Sequence, residues 1–389
     1  MGPAQGDARE RALVMTPAEA VTATRLRAAR HLFYETSHGP ALADLVGPDQ
    51  AGDILDFCFA ANPYYPTPDM LADLQAQLPA LIKSYPSCDP NISRRPLAAF
   101  LGADPDRLLI GNGASEIVSA ACRSLARSIG IAVPAFGEYL QKLRSARAAK
   151  LYRLRADQSY RLNLAAFLAW IRSNRLKAAL VINPANPSGQ FSPLEDMRAF
   201  LTSAQDLDLV IVDESFIDFA GDPAPSLLTC AADFPNVLVV RSMSKPLGAA
   251  GLRLGCGYSS NRELLDSIRK ALPAWNMSAI AEYFLSLLPA TAGDYERARK
   301  AVIEDAQRLF EGLCGIPGLT PYPTGANFVL GRIDAGMGAT ELRDRLLREH
   351  NMYVLDCANK VGMDGRHVRI ASQGRDKDRL LTDALKRIC

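Results

Sequence analysis

The residue best placed for covalent chemistry is Lys245. It closes Arg241-Ser242-Met243-Ser244-Lys245, directly after the apolar run 236–240. That puts an amine at the carboxyl end of a strand, flanked by small hydroxyl residues, where it suits Schiff-base formation. Arg253 follows in Gly251-Leu252-Arg253-Leu254-Gly255. Serine, lysine and arginine on one loop can hold a phosphate while the lysine forms an imine. Taken alone, Lys245 reads more simply as a solvated surface lysine. Asp213 ends Leu209-Val210-Ile211-Val212-Asp213. A carboxylate closing a buried strand is costly without a cationic or hydrogen-bonding partner. A protonated pyridine nitrogen is one such partner, and a turn capped by the aspartate is an equal alternative. Asn186 lies in Asn183-Pro184-Ala185-Asn186-Pro187, where two Asn-Pro steps force an extended, turning loop. The run Gly111-Asn112-Gly113-Ala114-Ser115-Glu116 opens a helix whose free N–H groups suit a phosphate, although most such glycine turns are only tight turns.

These residues follow short apolar runs. The runs lie at Arg107–Gly111, Ile129–Val133, Lys150–Arg153, Ala178–Ile182, Asp208–Val212, Asn236–Val240 and Arg253–Tyr258. Helix-length segments separate the first five, which argues for a mainly parallel sheet covered on both faces. Ligands bind such sheets at the strands' carboxyl ends. The C-terminal third differs. Residues 294–313 are apolar at helical spacing, with Asp294 in the N-cap position. A strand near 327–331, a helix near 339–349, a strand near 367–371 and a last helix follow. The expected fold is α/β: a three-layer α/β/α large domain with a mainly parallel seven-stranded sheet, plus a smaller α+β domain. The expected boundaries are an arm over residues 1–50, a large domain over 65–280, and a small domain from 51–64 and 281–389.

Composition limits the function. The chain has 389 residues, 44 basic and 42 acidic, for a net charge of +2. No basic patch or tail points to nucleic acid or a membrane surface. No apolar stretch nears the ~20 residues of a membrane helix, and the first ten residues are not a secretory signal. The eight cysteines include no CxxC pair, which suggests reduced thiols and the cytoplasm.

A glycine-rich helix start, an Asn-Pro loop, a strand-ending aspartate and an SxxK–Arg loop occur in fixed order. In that order the chain resembles the fold-type-I pyridoxal-phosphate enzymes of the class I/II aminotransferase family. The nearest branch is that of histidinol-phosphate aminotransferase and threonine-phosphate decarboxylase. The resemblance spans about residues 53–388 and implies an aspartate-aminotransferase-like fold with pyridoxal 5'-phosphate as cofactor. By that resemblance Lys245 forms the internal aldimine and moves the proton at Cα. Asp213 keeps the pyridine nitrogen protonated. Asn186 donates to the phenolic oxygen. Phe136, in Pro134-Ala135-Phe136-Gly137-Glu138-Tyr139, stacks on one ring face and Ser215 lies on the other. Ala114, Ser115, Ser242 and Arg253 bind the phosphate. Tyr85, in Ser84-Tyr85-Pro86, reaches the phosphate of a neighbouring subunit, which implies a homodimer with shared sites. Asn62 and Arg369 bind the carboxylate of a small amino-acid substrate.

The chain departs from the pattern in three ways. Phe216 stands where the aminotransferase branch has tyrosine, and here the decarboxylase branch matches better. Losing that hydroxyl raises the imine's expected pKa. Leu355 precedes Asp356-Cys357-Ala358-Asn359 where an arginine is common, so one member of an arginine pair for substrate anions is missing. Pro246 follows the lysine, and Tyr64-Tyr65 replace a small residue, which implies an altered pocket. In pyridoxal chemistry the bond held perpendicular to the ring breaks. Because Arg369 is retained, the expected activity is transamination. Decarboxylation of the threonine-phosphate type and β/γ-elimination or replacement are the alternatives. Arg366, His367 and Arg375 are near Arg369 in sequence and suit either a second anion or a solvated surface.

Other classes fit poorly. A transcription factor needs a basic DNA-binding head of about 60–70 residues, and residues 1–50 are too short for one. No GxGxxG follows the first strand, against a nicotinamide dehydrogenase. The four histidines are scattered, against a metal site.

Overall fold

The computed structural model describes residues 41–389, except 125–127, 146–148 and 335. Most of the N-terminal arm therefore lies outside the described residues. Its end forms two short helices, Leu42–Val46 and Pro48–Ala51.

After β1 (Leu55–Asp56), the large sheet is built from β2 (Leu108–Asn112), β3 (Ile129–Val133), β4 (Ala149–Arg153), β5 (Ala178–Ile182), β6 (Leu209–Asp213), β7 (Val237–Ser242) and β8 (Leu254–Tyr258). Each apolar run read from the sequence forms a strand, shifted by at most two residues. The order is β2-β8-β7-β6-β5-β3-β4. Only β8 runs antiparallel to its neighbours. The alternation of side chains across a strand sends Val210 and Val212 to one core and Leu209 and Ile211 to the other. Asp213 shares the parity of Leu209 and Ile211, so its carboxylate emerges on the face covered by the helices Ala114–Ser124 and Gly137–Ser145. The carboxyl ends of β2, β5, β6 and β7 open on one edge of the sheet.

A second sheet is antiparallel, in the order β12-β13-β10-β9. Its strands are β9 (Leu319–Pro321), β10 (Phe328–Ile333), β12 (Leu355–Asp356) and β13 (His367–Ala371). β1 pairs in parallel with β11 (Met352–Tyr353), which returns the segment before residue 65 to the C-terminal part.

One sequence expectation needs correction. The long helix is Ala292–Cys314, and Thr291 rather than Asp294 takes the N-cap position. The chain enters it from a 3-10 turn, Leu288–Thr291, so helical geometry is already set and Asp294 instead pairs with Arg297. The two cores meet on this helix. Ala281, Phe284, Leu285, Tyr295 and Ala298 belong to the large sheet's core, while Leu309 and Leu313 of the same long helix belong to the C-terminal core. One amphipathic helix thus serves both parts.

A buried polar network ties this helix to the site-bearing strands. Asp218 pairs with Arg241 at the end of β7 and accepts a 2.8 Å hydrogen bond from the Tyr295 hydroxyl. Arg299 donates to the Asp218 carbonyl at 3.1 Å and to Asp222 at 2.6 Å. Glu214, next to Asp213, accepts from Ser226 Oγ at 2.5 Å and Leu227 N at 2.7 Å. Burial pushes its carboxyl up to about 7, against the opposing pull of Arg241. Removing one partner of a buried pair leaves the other charged and unpaired. Asp218→Ala is accordingly expected to destabilise the protein by about 3–5 kcal/mol, read as a lower urea midpoint, with Asp218→Asn costing less.

Candidate active site

The strand ends surround one cavity. Lys245, Asp213, Asn186, Arg253, Arg369, Ala114, Ser115, Phe136, Ser215 and Ser242 all line it. Asp213 is 6% exposed. Its carboxyl is raised above the usual range by burial, against hydrogen bonds from Ser215, and the nearby Glu138 carboxylate raises it further. Ser215 N donates to Asp213 Oδ1 at 2.9 Å. The Ser215 hydroxyl accepts from Ser242 N at 2.9 Å, locking the ends of β6 and β7 together. Among the described residues no lysine or arginine forms an ion pair with Asp213. A buried carboxylate in this position is stabilised by a ligand's protonated nitrogen.

Lys245 has its amine pushed down to about 8, first by burial and then by the charges of Arg369 and Arg253. A neutral amine is the nucleophile in imine formation, so this environment populates the reactive form near neutral pH.

An anion cradle forms where β2 runs into the helix Ala114–Ser124. Gly113 has φ +73°, and a Cβ there would lie 2.7 Å from Arg253 Nη2. Gly113 N donates to the Arg253 carbonyl at 2.6 Å. Only glycine lets the guanidinium lie over this turn, beside the free N–H groups of the helix start. The Ser115 hydroxyl donates to Glu138 at 2.7 Å.

Opposite these groups, Arg369 on β13 donates to Asn186 Oδ1 at 2.7 Å and to the Cys58 carbonyl at 2.6 Å. Its guanidinium carbon sits 4.9 Å from the Phe328 ring centroid. Its buried Nε has no hydrogen-bond partner, so a donor remains for an incoming anion. Asn186 spends its oxygen on Arg369 and keeps its amide N–H groups for a ligand. Phe216, 4% exposed, also lines the cavity. It packs edge-on against Phe328 at 4.9 Å.

Two expected site residues stand elsewhere. Asn62 is buried but does not line the cavity. Its Nδ2 donates to the Pro246 carbonyl at 3.1 Å, its Oδ1 accepts from Tyr64 N, and its backbone N donates to the Lys245 carbonyl. Through these bonds it braces the lysine loop. Tyr85 is 80% exposed and packs on Trp275 with centroids 4.9 Å apart, away from its own chain's cavity. The reading of the sequence missed Cys58, Tyr139, Glu138 and Lys360, all of which line the cavity. Glu138 and Tyr139 belong to the run that identified Phe136, and Lys360 directly follows Asn359 of the C-terminal run. Nothing in the spacing around Cys58 marks it.

The class I and II aminotransferase model matches residues 52–388, and the chain belongs to that family. The family depends on pyridoxal phosphate, and this chain is a pyridoxal-phosphate enzyme. It is 30% identical over 369 residues to L-serine phosphate decarboxylase of Campylobacter jejuni, covering 91% of this chain and 93% of that one. The structure is similar to that of a decarboxylase from Sulfurospirillum multivorans, with TM-score 0.83 and 28% identity over 96% of this chain and 99% of that one. It is also similar to histidinol-phosphate aminotransferase from Clostridium acetobutylicum, with TM-score 0.79 and 26% identity over 86% and 99%. Among the described residues no helix is long and apolar enough to cross a membrane.

The residues present fit the cofactor: a buried acid for its ring nitrogen, an amine of lowered pKa, and a glycine cradle under an arginine for its phosphate. Borohydride reduction of the loaded enzyme should therefore tag the peptide carrying Lys245 and no other, and Lys245→Ala should show no tag in peptide mass mapping. Cofactor uptake by apoenzyme, followed by absorbance, should accelerate as pH rises through about 8, because deprotonation frees the amine. An ordinary lysine would show that rise near 10.5.

Proposed function

We propose that this enzyme removes the α-carboxylate of a phosphorylated β-hydroxy amino acid of the L-serine phosphate class, releasing carbon dioxide and the corresponding amine phosphate. The observation that carries the reading is the 30% identity, along nine-tenths of the chain, to a decarboxylase of that substrate. Phe216 supports it: a buried ring without a hydroxyl lines the cavity where the transaminating branch carries a tyrosine.

In this reading, bound pyridoxal phosphate supplies an electron sink for the pair left at Cα when a bond breaks. Asp213 would accept a hydrogen bond from the protonated ring nitrogen and keep it charged. Asn186 would donate to the ring oxygen, with Phe136 on one side of the ring and Ser215 on the other. The N–H groups at Ala114 and Ser115, with Ser242 and Arg253, hold the cofactor phosphate. Arg369 would bind the substrate carboxylate through its spare Nε donor. Loss of the carboxylate as carbon dioxide would leave its bonding pair at Cα, where the bound cofactor would stabilise it. Lys245 then returns a proton to Cα.

The exposed Tyr85–Trp275 pair supports a homodimer in which Tyr85 completes the neighbour's phosphate site. Eight free cysteines support a reducing compartment, the cytoplasm. The division of labour follows the sequence boundaries, with 65–280 carrying the cofactor groups, and 51–64 with 281–389 carrying Arg369.

Incubation of the loaded enzyme with O-phospho-L-serine should yield O-phosphoethanolamine by mass spectrometry, one carbon dioxide per turnover, and a cofactor unchanged in mass. Accumulation of pyridoxamine phosphate with a keto acid would replace this reading with transamination.

A further inference from the structure

Tyr139 lines the cavity with Asp213 and has no role in the chemistry proposed so far. It stands in the first turn of the helix Gly137–Ser145 and is 1% exposed. Leu209 and Ile211, which share a strand face with Asp213, belong to one apolar cluster with Tyr139, Leu140 and Leu143. The phenol therefore packs on the side of the sheet from which the Asp213 carboxylate emerges. Phe136 meets its ring edge-on, with centroids 6.4 Å apart. The hydroxyl is buried and has no hydrogen-bond partner of good geometry among the described residues.

A buried hydroxyl left without a partner is destabilising, and phenylalanine would fill the same space without that cost. The charges around the hydroxyl show which group it answers to. After burial, the Asp213 carboxylate is the strongest influence on Tyr139 and holds the phenol proton in place. The phenol in turn draws the Asp213 acid down, against the burial that raises it. The preceding residue acts in the opposite sense. Glu138, whose carboxylate accepts from Ser115 Oγ at 2.7 Å, pushes the Asp213 acid up. A buried acid beside a second acid needs donors to stay ionised. Ser215 N supplies one to Asp213 Oδ1 at 2.9 Å, and an ionised carboxylate has room for about four.

We infer that Tyr139 is a positioning residue for Asp213, its hydroxyl serving as a further donor that keeps the carboxylate ionised for the ring nitrogen of the bound cofactor. This rests on Asp213 as the partner of that nitrogen. It gives the buried hydroxyl a use, and it sets two consecutive residues of one helix turn, Glu138 and Tyr139, in opposition on a single acid.

The test uses full-length apoenzyme and pyridoxamine phosphate. That ligand has the ring and the phosphate but no aldehyde, so its binding does not depend on imine formation at Lys245. Its dissociation constant is followed by fluorescence across pH for wild type, Tyr139→Phe, Glu138→Gln/Tyr139→Phe and Asp213→Ala. The titratable and charged groups around the carboxylate and the lysine are Glu138 and Tyr139 on the covering helix, Cys122 on the helix before it, Lys245 and Arg253 between β7 and β8, and Arg369 on β13. In Tyr139→Phe the Asp213 acid is no longer drawn down and protonates at a higher pH. Affinity should therefore begin to fall at a higher pH than in wild type. On that acid limb the dissociation constant should exceed the wild-type value at the same pH by about 10-fold, the worth of one hydrogen bond to a charged group. The two curves should converge on the alkaline side. Glu138→Gln in the same background removes a like charge and should move the limb part of the way back. An unmoved acid limb in Tyr139→Phe, with affinity lost in Asp213→Ala, overturns the inference and leaves the role of Asp213 standing. A loss in Tyr139→Phe that is equal at every pH and unrelieved by Glu138→Gln marks a merely structural ring and also overturns it. Asp213→Ala that binds as tightly as wild type sinks the role of Asp213 itself. An unchanged melting temperature of unloaded Tyr139→Phe separates a lost donor from misfolding.

Discussion

A carboxylate buried at the end of a hydrophobic strand organises this protein. Asp213 sits at the carboxyl end of β6, between β5 and β7 in the middle of the sheet, where an unpaired charge costs several kcal/mol. Hydrogen bonds to Asp213 offset part of that cost, and a cationic group on a ligand would offset more. The fold is arranged around the same condition. Strand parity turns the carboxylate toward the covering helices, the Ser215–Ser242 hydrogen bond fixes its distance from the lysine loop, and Glu214 anchors the next residue so that Asp213 cannot swing out to water. The depressed amine of Lys245 belongs to the same low-dielectric setting. Burial raises the acid and lowers the base, and both shifts favour taking up a cofactor with a cationic ring nitrogen and an aldehyde.

Much of this was legible in the sequence because the α/β pattern is strongly periodic. Continuous apolar runs such as Ala178–Ile182 and Leu209–Val212 place strands to within a residue or two, and the chemistry follows their ends. What escaped had long-range causes. Asn62 has the residue type of a ligand-binding amide, but the lysine loop folds back onto the segment 62–65 and takes its hydrogen bonds. No local pattern reports a contact across 184 positions. Where the chain passes from one core to the other is hidden for a related reason. Residues 281–298 have the same amphipathic spacing whichever core they face, and only the tertiary fold decides. Lys360 was passed over because it lies in an irregular turn, where periodicity carries no information.

The two walls of the cavity divide the chemistry. The wall of strand ends and the glycine cradle is generic: it holds a phosphorylated ring, an acid and an amine. In the proposed reading the wall that carries Arg369, with Cys58 and Leu355, faces the substrate. Branches of one family can therefore change reaction and substrate on the second wall while the first stays fixed. Phe216 lies where the two meet, packed on the same Phe328 that supports Arg369, so the missing hydroxyl and the carboxylate clamp share one aromatic support.

The pairing of β1 with β11 has a consequence for how the protein is made. Leu55 and Met352 are about 300 residues apart in the chain, and closing so long a loop is slow. During synthesis the large sheet can collapse while Met352–Ala371 have yet to emerge from the ribosome. The groups assigned to the cofactor are then in place before Arg369 arrives. In the proposed reading a nascent chain at that stage would lack the arginine for the substrate carboxylate, so chemical competence would come only once the chain is nearly complete.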